Sequence, residues 1–140
     1  SHPYFKRVPP KSTGREEFGK DFFDKVITDS DCEQGSIVAT FTELSAISIF
    51  SALDSFVTES IDEIWVAGGG VHNDYLIGRL RQLFSGVAVR SLVELGLNPD
   101  AREAVCFAVL AYQTIKGKTG NIPEATGASS PVILGKITLP

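Results

Sequence analysis

Ile64-Trp65-Val66-Ala67-Gly68-Gly69-Gly70-Val71-His72-Asn73 is the stretch of this sequence best suited to chemistry. A short apolar run leads into three glycines and then into a helical pattern. Glycine lets a backbone approach a ligand closely, and free N–H groups at a helix start favour phosphate. Asn73 would add a side-chain donor and acceptor at the first turn. The run is neither a P-loop, since no Lys-Ser/Thr follows, nor a GxGxxG fingerprint. Two readings stand: a phosphate cradle, or a tight strand-to-helix turn with no ligand.

The other candidates are single residues. Glu103 reads either as the third-position member of a capping box or as a carboxylate that accepts hydrogen bonds from substrate hydroxyls. His72 has no partner in view and reads as a helix-start residue rather than half of an acid–base pair. Lys11 and Arg15 could meet phosphate, although a solvated basic arm is the plainer reading. Serine hydrolysis has no support, for want of a G-x-S-x-G and a triad. His2 and His72 lack metal-ligand spacing, and so do Cys32 and Cys106, the only cysteines.

The elements that must position these residues follow from pattern. Pro3, Pro9 and Pro10 make 2–13 an extended lead-in. Thr13 and Glu16 form a prospective capping box, and Phe18, Phe22, Phe23 and Val26 predict an amphipathic helix from Arg15 to about Ile27. Ser36 to about Val57 predicts a long, mostly buried helix. Ile64–Ala67 reads as a buried strand of parallel type. Tyr75, Leu76, Leu80 and Leu83 predict a helix over His72–Phe84, and Val87–Val89 a second strand. Asn98-Pro99-Asp100-Ala101-Arg102-Glu103 opens a helix with Asp100 as cap, running to about Lys116, where Gly117 ends it. Cys106 falls inside this helix and is expected in the core. Val132–Leu134 is a last possible strand. The expected class is α/β, with a small, mostly parallel sheet of two or three strands and flanking helices.

Composition bounds the function. The chain has 140 residues, with 17 acidic and 13 basic side chains, net charge −4, and 43% hydrophobic residues. That is the make-up of a globular domain, not of a disordered chain. The acidic balance argues against a nucleic-acid binder. Only the first twenty residues are basic, with Lys6, Arg7, Lys11, Arg15 and Lys20 against Glu16 and Glu17. The longest unbroken apolar run, Ala104–Tyr112, has nine residues, short of the roughly 20 that span a bilayer. No signal peptide is visible, and the two cysteines read as reduced, so a cytoplasmic location without membrane contact is expected. Methionine is absent and the chain opens Ser1-His2-Pro3, which suggests a processed chain or a fragment.

Several segments, taken in order, carry a resemblance. They are Pro9-Pro10-Lys11-Ser12-Thr13-Gly14-Arg15-Glu16, Phe41-Thr42-Glu43-Leu44-Ser45-Ala46 and Gly68-Gly69-Gly70-Val71-His72-Asn73. Pro99-Asp100-Ala101-Arg102-Glu103-Ala104 with Phe107-Ala108, Gly120-Asn121-Ile122-Pro123 and Thr126-Gly127-Ala128 complete the set. Together they resemble the carboxy-terminal part of the anhydro-N-acetylmuramic acid kinases, and also the related fungal levoglucosan kinases. The resemblance implies the actin, sugar kinase and Hsp70 superfamily fold: two ribonuclease-H-like lobes with ATP between them. It implies that Gly68, Gly69, Gly70 and Asn73 line the nucleotide, that Glu103 holds the anhydro sugar, and that Mg2+ accompanies ATP. It further implies a homodimer. The expected domain organisation is a single carboxy-terminal nucleotide-binding lobe segment over 1–140. The amino-terminal lobe, the first strands of this lobe, the first Gly-Thr phosphate segment and the catalytic aspartate find no match in the chain. On that expectation the chain alone is inactive and needs its missing lobe or a companion chain. A non-catalytic α/β binding or scaffold module is the alternative from a different class.

Overall fold

A computed structural model describes residues 2–138. After a 3-10 turn at Pro3–Lys6, the order is α1 (Arg15–Phe18), α2 (Lys20–Thr28), α3 (Gln34–Phe56), β1 (Glu63–Val66), a 3-10 turn at Gly69–His72, and α4 (Asp74–Leu83). Then follow β2 (Ala88–Ser91), 3-10 turns at Leu92–Leu95 and Pro99–Ala101, α5 (Arg102–Ile115) and α6 (Pro123–Thr126). The strands pair in parallel, with Glu63 opposite Ala88 and Val66 opposite Ser91. The architecture is α/β with a two-stranded parallel sheet.

The core lies where α3, α4 and the sheet meet. Ala46, Leu80, Phe84 and Val89 are buried there, with Phe50, Leu53, Ile64, Val66, Leu76, Leu83 and Val87 packed around them. Ala46 lets α4 come close, and Phe50 meets Phe84 edge-on with ring centroids 5.1 Å apart. Arg90 on β2 pairs with Glu63 on β1 and with Glu94, both at 3.0 Å, which ties the outer strand to the turn that follows it.

Several expectations change. The first predicted helix divides at Gly19, whose backbone is extended and passes so near Arg15 that a Cβ there would lie 2.0 Å from the Arg15 carbonyl oxygen. The Thr13–Glu16 capping box does not form: Gly14 is the N-cap, and the Thr13 hydroxyl donates to Glu17 at 3.1 Å. The lead-in is held instead by edge-on and tilted ring contacts, from His2, Tyr4, Phe5 and Phe18 to Phe22, with Phe22 and Phe23 reaching Phe41 on α3. Lys11 is not simply solvated. Its ammonium donates to the Arg7 carbonyl and stands 4.8 Å from the Tyr4 ring and 4.9 Å from the Phe56 ring.

The long helix forms as expected but is not mostly buried. Only Ile37 and Ala46 are buried on it, while Val38, Ile47, Ile49 and Phe56 are exposed. Its 23 residues extend about 34 Å, whereas α4, with 10 residues, extends about 15 Å and covers less than half of it. By length and composition α3 is also apolar enough to cross a membrane, which counting unbroken apolar runs did not reveal. Here its middle is committed to the fold through buried Ala46 and the ion pair of Glu43 with Arg79.

α5 shows the same contrast more strongly. Val105, Phe107, Val109, Tyr112 and Ile115 are exposed, and so is Cys106, expected in the core. These residues lie on several sides of the helix, so the exposure is not confined to one stripe. The helix ends at Ile115 with Lys116 as its C-cap, and Gly117 takes the left-handed conformation at φ 65°. Val132–Leu134 is not a strand. It is held by Asn121, whose Oδ1 accepts from the Val132 amide at 2.7 Å and whose Nδ2 donates to the Ser130 carbonyl at 3.1 Å.

Candidate functional site

β1 delivers the chain into the glycine turn at Gly68, with φ 78° and ψ −177°. That region of backbone space is open essentially to glycine alone. A Cβ built at Gly68 or Gly69 meets no protein atom within 4 Å, and one at Gly70 meets only Leu76, at 3.5 Å. The turn therefore presents bare backbone to an open side while Gly70 faces α4. Within the 3-10 turn, Val71 donates to Gly68 at 3.1 Å and Asn73 to Gly70 at 3.2 Å. The first amides of such a turn have no acceptor inside it, which leaves those of Gly69 and Gly70 for a partner from outside.

Asn73 ends this turn and starts α4. Its Oδ1 accepts from the Leu76 amide at 3.0 Å, a helix cap that satisfies one of the orphan donors. The cap engages the side-chain oxygen and leaves the NH2 end facing solvent.

The glycine turn is joined to the segment that carries Glu103. The Gly68 amide donates to the Pro99 carbonyl at 2.9 Å, and Pro99 itself is buried. His72 Nε2 lies 2.9 and 3.0 Å from the two carboxylate oxygens of Asp100. Asn98 caps the short turn by accepting from the Asp100 amide at 2.9 Å. This corrects two expectations. His72 has a partner, and Asp100 is not the helix cap: Asn98 takes that position because Pro99 starts the turn, and α5 begins only at Arg102. Glu103 lies exposed in the first turn of α5, which has no side-chain cap bond, so the capping-box reading of Glu103 is withdrawn. No local periodicity could have disclosed the His72–Asp100 contact, since the residues stand 28 apart.

Charge around the site is organised by pairs. Arg79 on α4 holds Glu43 on α3 through both carboxylate oxygens, at 2.6 and 2.7 Å. The hydrogen bonds from Arg79 keep the Glu43 carboxyl below the usual carboxylate range. Arg90 and the Ser91 amide do the same to Glu94. Among the described residues no three His, Cys, Asp or Glu side chains gather as a metal-ligand set. At the turn, the groups open to a ligand are the backbone amides of Gly69 and Gly70. Two open hollows lie away from the turn. One, of about 400 Å³, is lined by Glu43, Ile47 and Tyr75, and one of about 530 Å³ lies along Phe107, Ala111 and Leu134. The glycine turn lines neither of them.

Comparison with known proteins adds an independent line. The family model described as anhydro-N-acetylmuramic acid kinase matches residues 1–140. The anhydro-N-acetylmuramic acid kinase of Salinibacter ruber is 43% identical over 142 residues, covering 98% of this chain and 36% of that protein. The protein of the same name from a Picosynechococcus species is 44% identical, covering 99% of this chain and 38% of that protein. The one from Coxiella burnetii is 42% identical, with 98% and 37% covered. The chain therefore spans a little over a third of the length of the curated relatives it matches. A match that runs from end to end takes in the glycine turn, its Pro99 anchor and the Glu103 helix together: the chain belongs to the anhydro-N-acetylmuramic acid kinase family.

Proposed function

We propose that this chain supplies one wall of the cleft of an ATP-dependent anhydro-sugar kinase. The whole enzyme would add water across the 1,6-anhydro bridge of 1,6-anhydro-N-acetylmuramic acid. It would then transfer the γ-phosphoryl group of ATP to the freed 6-hydroxyl, leaving ADP. The observation that carries the reading is the hydrogen bond from Gly68 to Pro99, which sets the bare glycine turn beside the helix that bears Glu103. Phosphoryl transfer depends mainly on positioning and on stabilising charge, and a wall of this kind does both. The amides of the glycine turn meet nucleotide phosphates, the Asn73 NH2 adds a donor, and Glu103 accepts hydrogen bonds from sugar hydroxyls. Mg2+ would arrive with the ATP phosphates, and no step is assigned to it through these side chains.

On this reading the fold is part of a ribonuclease-H-like lobe of the actin, sugar kinase and Hsp70 superfamily. Residues 1–140 form one carboxy-terminal segment of it. The opposite lobe, with the aspartate that activates water, belongs to the rest of the family's length. A cytoplasmic homodimer acting in cell-wall recycling and amino sugar metabolism is the matching setting. Isothermal titration of the entire gene product with ADP and magnesium tests the assignment. Gly69→Val is the informative variant, because a Cβ at this position meets no atom of the chain within 4 Å. Loss of nucleotide binding is the expected result, and unchanged affinity overturns the reading. Competition between 1,6-anhydro-N-acetylmuramic acid and levoglucosan for the same protein identifies the sugar.

A further inference from the structure

We propose that the His72–Asp100 contact is a clasp that couples the two halves of the site, so that filling the nucleotide side strengthens sugar binding and the reverse. The inference rests on the function proposed above. The glycine turn is attached to the Asn98–Ala101 turn at two points. Its near end is fixed by the Gly68 amide on the Pro99 carbonyl, at 2.9 Å. Its far end is fixed by His72 Nε2, set between both Asp100 oxygens at 2.9 and 3.0 Å. A turn held at one point can pivot, whereas a turn held at both moves with its partner. Asn98 stiffens the receiving side through the Asp100 amide, and the chain then runs directly into Arg102 and Glu103.

The residues on either side of the clasp make the coupling specific. His72 immediately precedes Asn73, the cap of α4, so a shift at His72 displaces the Asn73 side chain placed on the nucleotide side. Asp100 lies three residues before Glu103, so a shift at Asp100 tilts the start of α5. His72 and Asp100 are 62% and 56% exposed in their side chains. Exposed pairs contribute little to folding stability, and stability alone gives little reason to join residues from separate segments here. Coupling between two ligands is reciprocal, because each changes the other's affinity by the same factor.

The test uses the entire gene product. 1,6-Anhydro-N-acetylmuramic acid is titrated with and without a non-hydrolysable ATP analogue and magnesium, for the parent, His72→Ala, Asp100→Ala, the double variant and His72→Gln. The sugar is expected to bind more tightly with the analogue present in the parent. In either alanine variant that enhancement should fall about two- to fivefold, the scale of one exposed side-chain pair. The double variant should lose no more than either single one, and His72→Gln, whose amide keeps a donor at the Nε2 position, should retain the coupling. Hydrogen exchange gives a second readout: sugar alone should slow the amides of 68–73 in the parent but not in His72→Ala. A parent that binds both ligands with an enhancement untouched by His72→Ala overturns the clasp alone. A parent that binds neither ligand removes the proposed function, and the clasp with it.

Discussion

Arg79 grips Glu43 across two helices, with Nε 2.7 Å from Oε2 and Nη2 2.6 Å from Oε1. This two-pronged contact bolts α4, whose first turn Asn73 caps, to the middle of α3. Bidentate pairs of this kind are the more directional form of ion pair. The Glu43 carboxyl is held below its ordinary value of 4.5, chiefly by the hydrogen bonds from Arg79. A carboxylate with a lowered value in the folded state stabilises that state above its unfolded value and loses the contribution as pH falls through the folded one. The urea midpoint of the protein should therefore fall as pH drops from about 6 to about 3. Glu43→Gln should flatten that dependence without abolishing it, because Glu94 is shifted in the same direction by Arg90. An acid dependence identical in the parent and in Glu43→Gln would count against the Arg79 contact.

Gly68→Ala should destabilise the fold by about 1–3 kcal/mol, the scale of forcing a side chain into a glycine-only backbone region. No atom crowds that position, so the cost is conformational rather than steric. Gly69→Ala has no such backbone demand and should stay within about 0.5 kcal/mol of the parent. Equilibrium denaturation of the two variants side by side gives the comparison.

Asn73 carries a cap and a candidate ligand contact, and two substitutions separate them. Asn73→Ala should cost about 1 kcal/mol through loss of the bond to the Leu76 amide. Asn73→Asp keeps an oxygen for that amide but sets a negative charge where the NH2 stood. Its stability should match the parent while ADP affinity falls, as read by thermal melts and titration calorimetry.

Glu103→Gln should leave stability within about 0.5 kcal/mol, since Glu103 is exposed and caps nothing. Sugar affinity in the entire gene product should fall, because a neutral amide is a poorer acceptor for hydroxyl donors than a carboxylate. Equal sugar affinity in both proteins would remove Glu103 from the site.

The parts of the fold that were legible in the sequence are those written locally. Ile64–Ala67 between acidic residues and glycines is a strand within one residue, and Leu76, Leu80 and Leu83 mark the buried side of α4. Burial on α3 and α5 was not legible. A helical pattern says which residues are apolar, and only tertiary neighbours decide whether they are covered. For the site, the glycine turn stood out by composition, because a left-handed backbone needs glycine. Its anchoring to Pro99 and the pairing of His72 with Asp100 depend on how two distant segments meet. Nothing in the spacing of either segment encodes that meeting. Capping was misread for a simpler reason: Asn98 and Asp100 are both good caps, and Pro99 between them decides for Asn98.

The parallel pairing of β1 and β2 encloses the glycine turn within one continuous stretch of chain. The strands and α4 occupy one continuous stretch, from Glu63 to Ser91. Gly68 lies inside that stretch, whereas Pro99, Asp100 and Glu103 lie beyond it. The glycine turn is thus bounded by one continuous stretch of chain, and the turn that leads into α5 meets it from outside that stretch, through the Gly68–Pro99 bond. Loosening α5 should therefore leave the glycine turn's own hydrogen bonds, Val71 to Gly68 and Asn73 to Gly70, in place.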